Sequence, residues 1–302
     1  MKLNKIKLAL GFVTAAAMAM PIVASAAADQ EKAMKNSANW AHPRGQHDNQ
    51  AYSKLTQINK GNVKNLKAAW TLSTGVNRGH EGSPLVIGNM LYVHTAFPNN
   101  VYALDLNNNQ KVVWSYFPKQ DPSVQAVLCC DNVNRGLGFG NGKIFLQQND
   151  GNLVALNAKT GAKVWSTSNV DPKVGATNTN APHVINDKVL TGCSGAEFGV
   201  RCFIAAYNIE DGSLAWKAMS TGPDSEVLIG ADFNKENPLY SALSVYEDVN
   251  GGNVEGGSFK RIPNDQLQGG VADLGLKTWL KPQAVKDGWQ HGGGSTWGWW
   301  PY

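Results

Sequence analysis

Three segments of this chain repeat one pattern at a fixed interval, and that interval limits what the chain can fold into. ALNAKTGAKVW over 155–165 is the cleanest copy, and AYNIEDGSLAW over 206–216 matches it position for position. ALDLNNNQKVVW over 103–114 is the same motif with one residue inserted in its turn. The closing tryptophans, Trp114, Trp165 and Trp216, recur with a period of 51. Within each copy an apolar stretch leads into Asx-x-x-Thr/Asp-Gly, a turn in which the glycine can take positive φ. A second stretch, ending in tryptophan, follows, so each copy reads as a β-hairpin. A further hairpin lies upstream of two of these, at 84–93 around Gly88-Asn89 and at 183–190 around Asn186-Asp187. Two hairpins per repeat make four strands, which is a propeller blade. A straight solenoid of hairpins is the rival, but β-solenoid repeats are usually much shorter.

A regular tryptophan then suits the seam between neighbouring blades, where a large ring packs while its N–H finds an acceptor. A degenerate earlier copy ends at Trp70 in VKNLKAAW over 63–70, so the blade repeats run from about 60 to 216. From about 221 to 290 the rhythm breaks into Asn, Asp, Gly and Lys, read as an insertion, at most partly helical, of the kind that shapes a site. Thirty-two glycines, ten tryptophans and little helical periodicity agree with an all-β chain.

Lys2, Lys5 and Lys7, an uncharged stretch from Leu8 to Val23 and the small-x-small site Ala24-Ser25-Ala26 form a leader for export, cleaved after Ala26. The apolar run is too short and alanine-rich for a membrane anchor, so the chain is expected not to span a membrane. Without the leader's three lysines the balance is 24 Lys+Arg against 23 Asp+Glu, which gives no footprint for nucleic acid. Export implies an oxidising compartment, where Cys129, Cys130, Cys193 and Cys202 are expected to be paired. Sequence does not choose among their three connectivities. No Cys-x-x-Cys pair and no histidine at ligand spacing support a zinc site instead.

Four segments lying outside the repeat carry a more specific likeness: GHEG at 79–82, CCDNVNRG at 129–136, SGAEFG at 194–199 and GGGSTWGW at 292–299. Together with the tryptophan repeat they resemble the pyrroloquinoline quinone (PQQ)-dependent methanol/ethanol dehydrogenases. The likeness covers about residues 38–302 and follows the N-terminal half of those enzymes. It implies an eight-bladed β-propeller, of which this chain holds about four blades and the start of another at 291–302.

The resemblance also implies roles. Adjacent Cys129 and Cys130 match a pair closed into a strained eight-membered disulfide ring, far from ordinary disulfide geometry, that covers one face of the quinone. Trp297 matches the indole stacked on the other face. Arg135 matches the guanidinium that bonds a PQQ carboxylate, and Glu81 a carboxylate at the rim. Thr179, Ser194 and Ser295 match hydroxyl or backbone donors, while Gly195 and Ala196 let the backbone approach. Glu197 matches a carboxylate ligand of Ca²⁺ or a lanthanide, hard cations that take oxygen donors.

No catalytic residue is placed within this chain. The family's aspartate base and further metal ligands are expected beyond Tyr302, and residues 1–302 are expected to be inactive alone. The implied activity is periplasmic oxidation of a small primary alcohol, methanol foremost, with electrons passed to cytochrome c. A small subunit or a homodimer fits the same family. The rival reading is a non-enzymatic envelope propeller, a scaffold or binding module, which would not explain Cys129-Cys130, Arg135, Glu197 and Trp297 occurring together.

Overall fold

The computed structural model describes residues 28–128, 130–220 and 294–298, together with the backbone of two strands at 245–248 and 259–262. The leader falls outside the described residues. Twelve strands form three four-stranded antiparallel meanders. The first holds β1 (Leu85–Ile87), β2 (Met90–His94), β3 (Val101–Asp105) and β4 (Lys111–Tyr116). The second holds β5 (Leu137–Gly140), β6 (Lys143–Gln147), β7 (Asn152–Asn157) and β8 (Lys163–Ser168). The third holds β9 (His183–Ile185), β10 (Lys188–Thr191), β11 (Phe203–Asn208) and β12 (Leu214–Met219). Both upstream hairpins predicted from their turns are present, Ile87 pairing with Met90 and Ile185 with Lys188. Each meander is a propeller blade.

The tryptophans join the blades. Trp114 on the first blade donates its indole N–H to the Ala158 carbonyl of the second at 3.0 Å. Trp165 on the second repeats the contact with the Ile209 carbonyl of the third at 3.1 Å. Each ring lies against the turn glycine of the next blade. A Cβ on Gly161 would come within 2.5 Å of Trp114, and one on Gly212 within 2.6 Å of Trp165. Both glycines also sit in the left-handed region, at φ 71° and 72°, so conformation and close approach demand the same residue. In the first copy Gln110 stands where that glycine would be, with Asn109 and Gln110 both at positive φ. Around the tryptophans lie two apolar cores. One, between blades one and two, includes Leu85, Leu137 and Leu156; the other, between two and three, includes Phe145, Val184 and Tyr207.

One device was not visible in the repeat. Beside each tryptophan the register slips by a residue, so Trp114 faces Ala103 while Val112 faces Leu104. The same slip follows Trp165 and Trp216. A β-bulge of this kind kinks the strand and re-aims the side chain next to it. On the first two blades the Trp114 and Trp165 rings beside it face the neighbouring blade.

Ahead of the first blade, residues 66–70 form no strand and Trp70 is 41% exposed. It stands 44 residues before Trp114, off the period, and lacks the turn glycine. The described residues hold three complete blades. In the described part of the insertion, β13 (Val245–Asp248) pairs antiparallel with β14 (Phe259–Ile262). Ahead of the blades, helix α1 (Ala28–Lys35) docks through Asp29, whose carboxylate accepts from the Asn141 and Gly142 amides in the β5–β6 turn, both at 2.7 Å. No helix among the described residues is long and apolar enough to cross a membrane.

Candidate functional site

Arg135 organises the site. It enters the second blade just before β5, where Ser83 and Gly136 form a parallel bridge between blades. Its backbone N–H donates to the Thr179 carbonyl at 3.1 Å, and its guanidinium donates to the Thr179 hydroxyl at 2.6 Å. On another edge the guanidinium meets the Glu81 carboxylate at 3.2 Å. The Arg135 side chain is largely buried while that of Glu81 is 49% exposed, so the pair's electrostatic contribution is screened on one side. The Trp297 ring lies over the guanidinium, 4.2 Å from Arg135 Cζ to the ring centroid. Glu81, Arg135, Thr179 and Trp297, from four separate parts of the sequence, are thus brought together.

The SGAEFG segment leaves β10 and makes a short 3-10 turn over Ala196–Phe198. Ser194 is fully buried and bridges Thr177, its amide donating to the Thr177 carbonyl at 2.8 Å and its hydroxyl lying 3.0 Å from that of Thr177. The Ser194 hydroxyl also lies 3.1 Å from the Thr177 carbonyl, to which it can donate. Gly195 (φ 115°) opens the turn and Gly199 (φ 85°) closes it, with Glu197 exposed between them. Among the described residues no three His, Cys, Asp or Glu side chains converge as a metal-binding group. Ser295 is exposed beside Trp297.

Cys193 and Cys202, which bracket Glu197, are joined by a disulfide with Cα atoms 5.4 Å apart. This bond rules out the two connectivities in which either pairs with Cys129 or Cys130. Cys129 lies outside the described residues, and with it the expected Cys129–Cys130 ring. Beside it Cys130 and Asp131 stand at φ 65° and 64°, a pair of left-handed non-glycine residues of the kind that gathers at functional sites. Peptide mapping without reduction is expected to link Cys193 to Cys202 and Cys129 to Cys130. A free thiol at Cys129 in the oxidised protein would contradict the second link.

Residues not singled out from sequence support this frame. His94, at the end of β2, is buried and its Nε2–H donates to the Asn134 carbonyl at 3.1 Å. Burial lowers its pKa to about 4, against a smaller opposing effect of that hydrogen bond. The ring lies directly under Gly82, so one neutral histidine props both the Glu81 and the Arg135 segments. Asn178 and Thr191 form a buried polar layer, linked at 2.8 Å, with the Thr191 hydroxyl donating to Gln147 at 3.1 Å. Buried Asn and Thr have no distinctive spacing; their role emerges only once the blades are assembled.

A β-propeller of tryptophan-docked blades with an arginine–carboxylate–indole cluster defines a class, and the comparisons place the chain within it. Residues 40–237 match the PQQ glucose/ethanol/alcohol dehydrogenase β-propeller domain. The chain belongs to this family. It is 46% identical to the lanthanide-dependent methanol dehydrogenase of Methylorubrum extorquens over 92% of its own length and 41% of that protein's. It is 42% identical to methanol dehydrogenase [cytochrome c] subunit 1 of Paracoccus denitrificans, over 97% of this chain and 42% of the relative. A solved europium-containing methanol dehydrogenase superposes with a TM-score of 0.64 at 49% identity, covering 70% of this chain and 37% of the other. The chain spans about two-fifths of the length of the curated relatives it matches.

Proposed function

We propose that this chain forms part of a periplasmic PQQ-dependent dehydrogenase that oxidises a small primary alcohol, methanol foremost, and passes the electrons to cytochrome c. The observation carrying this reading is the Arg135 guanidinium, held by Glu81 and Thr179 under the face of Trp297. PQQ is a planar tricarboxylate, and a flat indole beside a fixed guanidinium suits it. Thr179 and Glu81 take some of arginine's five N–H donors, leaving others for a ligand carboxylate.

When bound, PQQ supplies the two-electron acceptor for the alcohol's hydride. The chain's own residues bind and orient it. Trp297 forms one wall and the Cys129–Cys130 ring the other. Arg135 neutralises a carboxylate, Glu81 fixes the angle of Arg135, and Ser194, Gly195, Ala196 and Ser295 line the rim. Glu197 offers a hard carboxylate to Ca²⁺ or a lanthanide. A small subunit or a second copy completes the proposed assembly. Export by the leader matches the periplasmic setting and the Cys193–Cys202 disulfide.

Equilibrium dialysis of PQQ against the purified chain tests the reading. Arg135→Ala is expected to weaken binding about 10- to 100-fold, as for loss of hydrogen bonds to a charged group, with Arg135→Lys intermediate. Equal affinity in all three proteins would overturn it.

A further inference from the structure

Among the described residues Trp297 lies in no strand, and other contacts fix its ring over Arg135. The residue before it makes the attachment. Thr296 donates its amide N–H to the Cys193 carbonyl at 2.8 Å. Its hydroxyl accepts from the Cys193 amide at 2.9 Å and donates to the Phe203 carbonyl. A single threonine thus bonds the chain on both sides of the Cys193–Cys202 disulfide, which fixes the spacing of its two anchors. The approach is close. A Cβ on Gly192 would lie 2.0 Å from the Thr296 carbonyl oxygen, so the segment can settle there only against a glycine.

We propose that Thr296, seated on Gly192 and clamped between Cys193 and Phe203, is the positioning residue that holds Trp297 over Arg135. Its hydroxyl serves as acceptor and donor at once, which valine cannot do and serine can. The inference rests on the PQQ reading only for its effect on the cofactor, because the placement of Trp297 is measurable without one.

The test is ¹⁹F NMR of the full chain carrying 5-fluorotryptophan at its ten tryptophans, with the Trp297 line identified by its loss in Trp297→Phe. Thr296→Val is expected to move or broaden that line while the Trp114 and Trp165 lines stay in place, and Thr296→Ser to restore it. Gly192→Ala is expected to move the same line, and decides the matter if Thr296→Val fails to fold. A Trp297 line unchanged in both Thr296→Val and Gly192→Ala would overturn the proposal. PQQ dialysis of the same proteins is expected to show about tenfold weaker binding in Thr296→Val and recovery in Thr296→Ser. Displaced Trp297 with undiminished PQQ affinity would also overturn the positioning role. If wild-type chain binds no PQQ while the ¹⁹F lines behave as expected, the functional reading fails and the seat stands.

Discussion

Trp165→Ala is expected to lower the unfolding free energy by about 3–5 kcal/mol, the range for removing a large aromatic ring from a packed core. Trp216→Ala should cost about 1 kcal/mol or less. The two residues occupy the same place in consecutive repeats, so composition and local sequence do not separate them. Their surroundings do. Trp165 is 9% exposed, packs on Gly212 and donates to the Ile209 carbonyl, whereas Trp216 is 46% exposed. Removing the Trp165 ring opens a cavity between two blades and leaves a buried carbonyl without its donor. Urea titrations of the three proteins check this. Equal losses for both variants would mean that the blade seams do not hold the fold together.

Stability is also expected to fall as the solution is acidified from about pH 6.5 toward pH 4. Burial lowers the pKa of His42 to about 3, with further lowering by His183, His47 and Arg44. Burial likewise holds His94 and His183 at about 4, with lesser contributions from His80 and His47 respectively. These rings are neutral in the folded protein and take up protons in the unfolded chain below about pH 6.5. The unfolded state then binds more protons, so their contribution is fully present above pH 6.5 and lost as pH falls toward the folded values. All three rings act in the same direction, so their contributions fall together as the pH drops. The surface carboxylates Asp121, Asp187 and Asp211, lowered by hydrogen bonds to Ser123, Lys188 and Ser213, act at lower pH. Urea midpoints at pH 7, 6 and 5 are expected to decline in the wild type and to decline less in His94→Asn. A flat profile over that window would contradict the burial of these rings.

Much of this was legible because the repeat joins two independent codes. Asx-Gly turns mark hairpins, and a tryptophan at period 51 marks the seam, so the blades at 85–116, 137–168 and 183–219 follow from local chemistry. Trp70 follows an apolar stretch but lacks the motif's turn, and no strand forms at 66–70. The bulge beside each tryptophan was hidden because it is a matter of register, visible only when the partner strand is known. The site divided in the same way. Arg135, Glu81 and Trp297 stood out through family motifs, while their supports His94, Thr177 and Thr296 are ordinary residues whose significance is set by what packs on them. The Cys193–Cys202 bond was one of several pairings until Cα positions were known.

The most direct test of the central claim compares PQQ with its trimethyl ester, which keeps the flat quinone and removes the carboxylate charges. If Arg135 recognises a carboxylate under Trp297, the chain binds PQQ, binds the ester at least about tenfold more weakly, and Arg135→Ala removes most of the difference. Equal affinity for acid and ester in the wild-type chain would contradict a carboxylate site at Arg135.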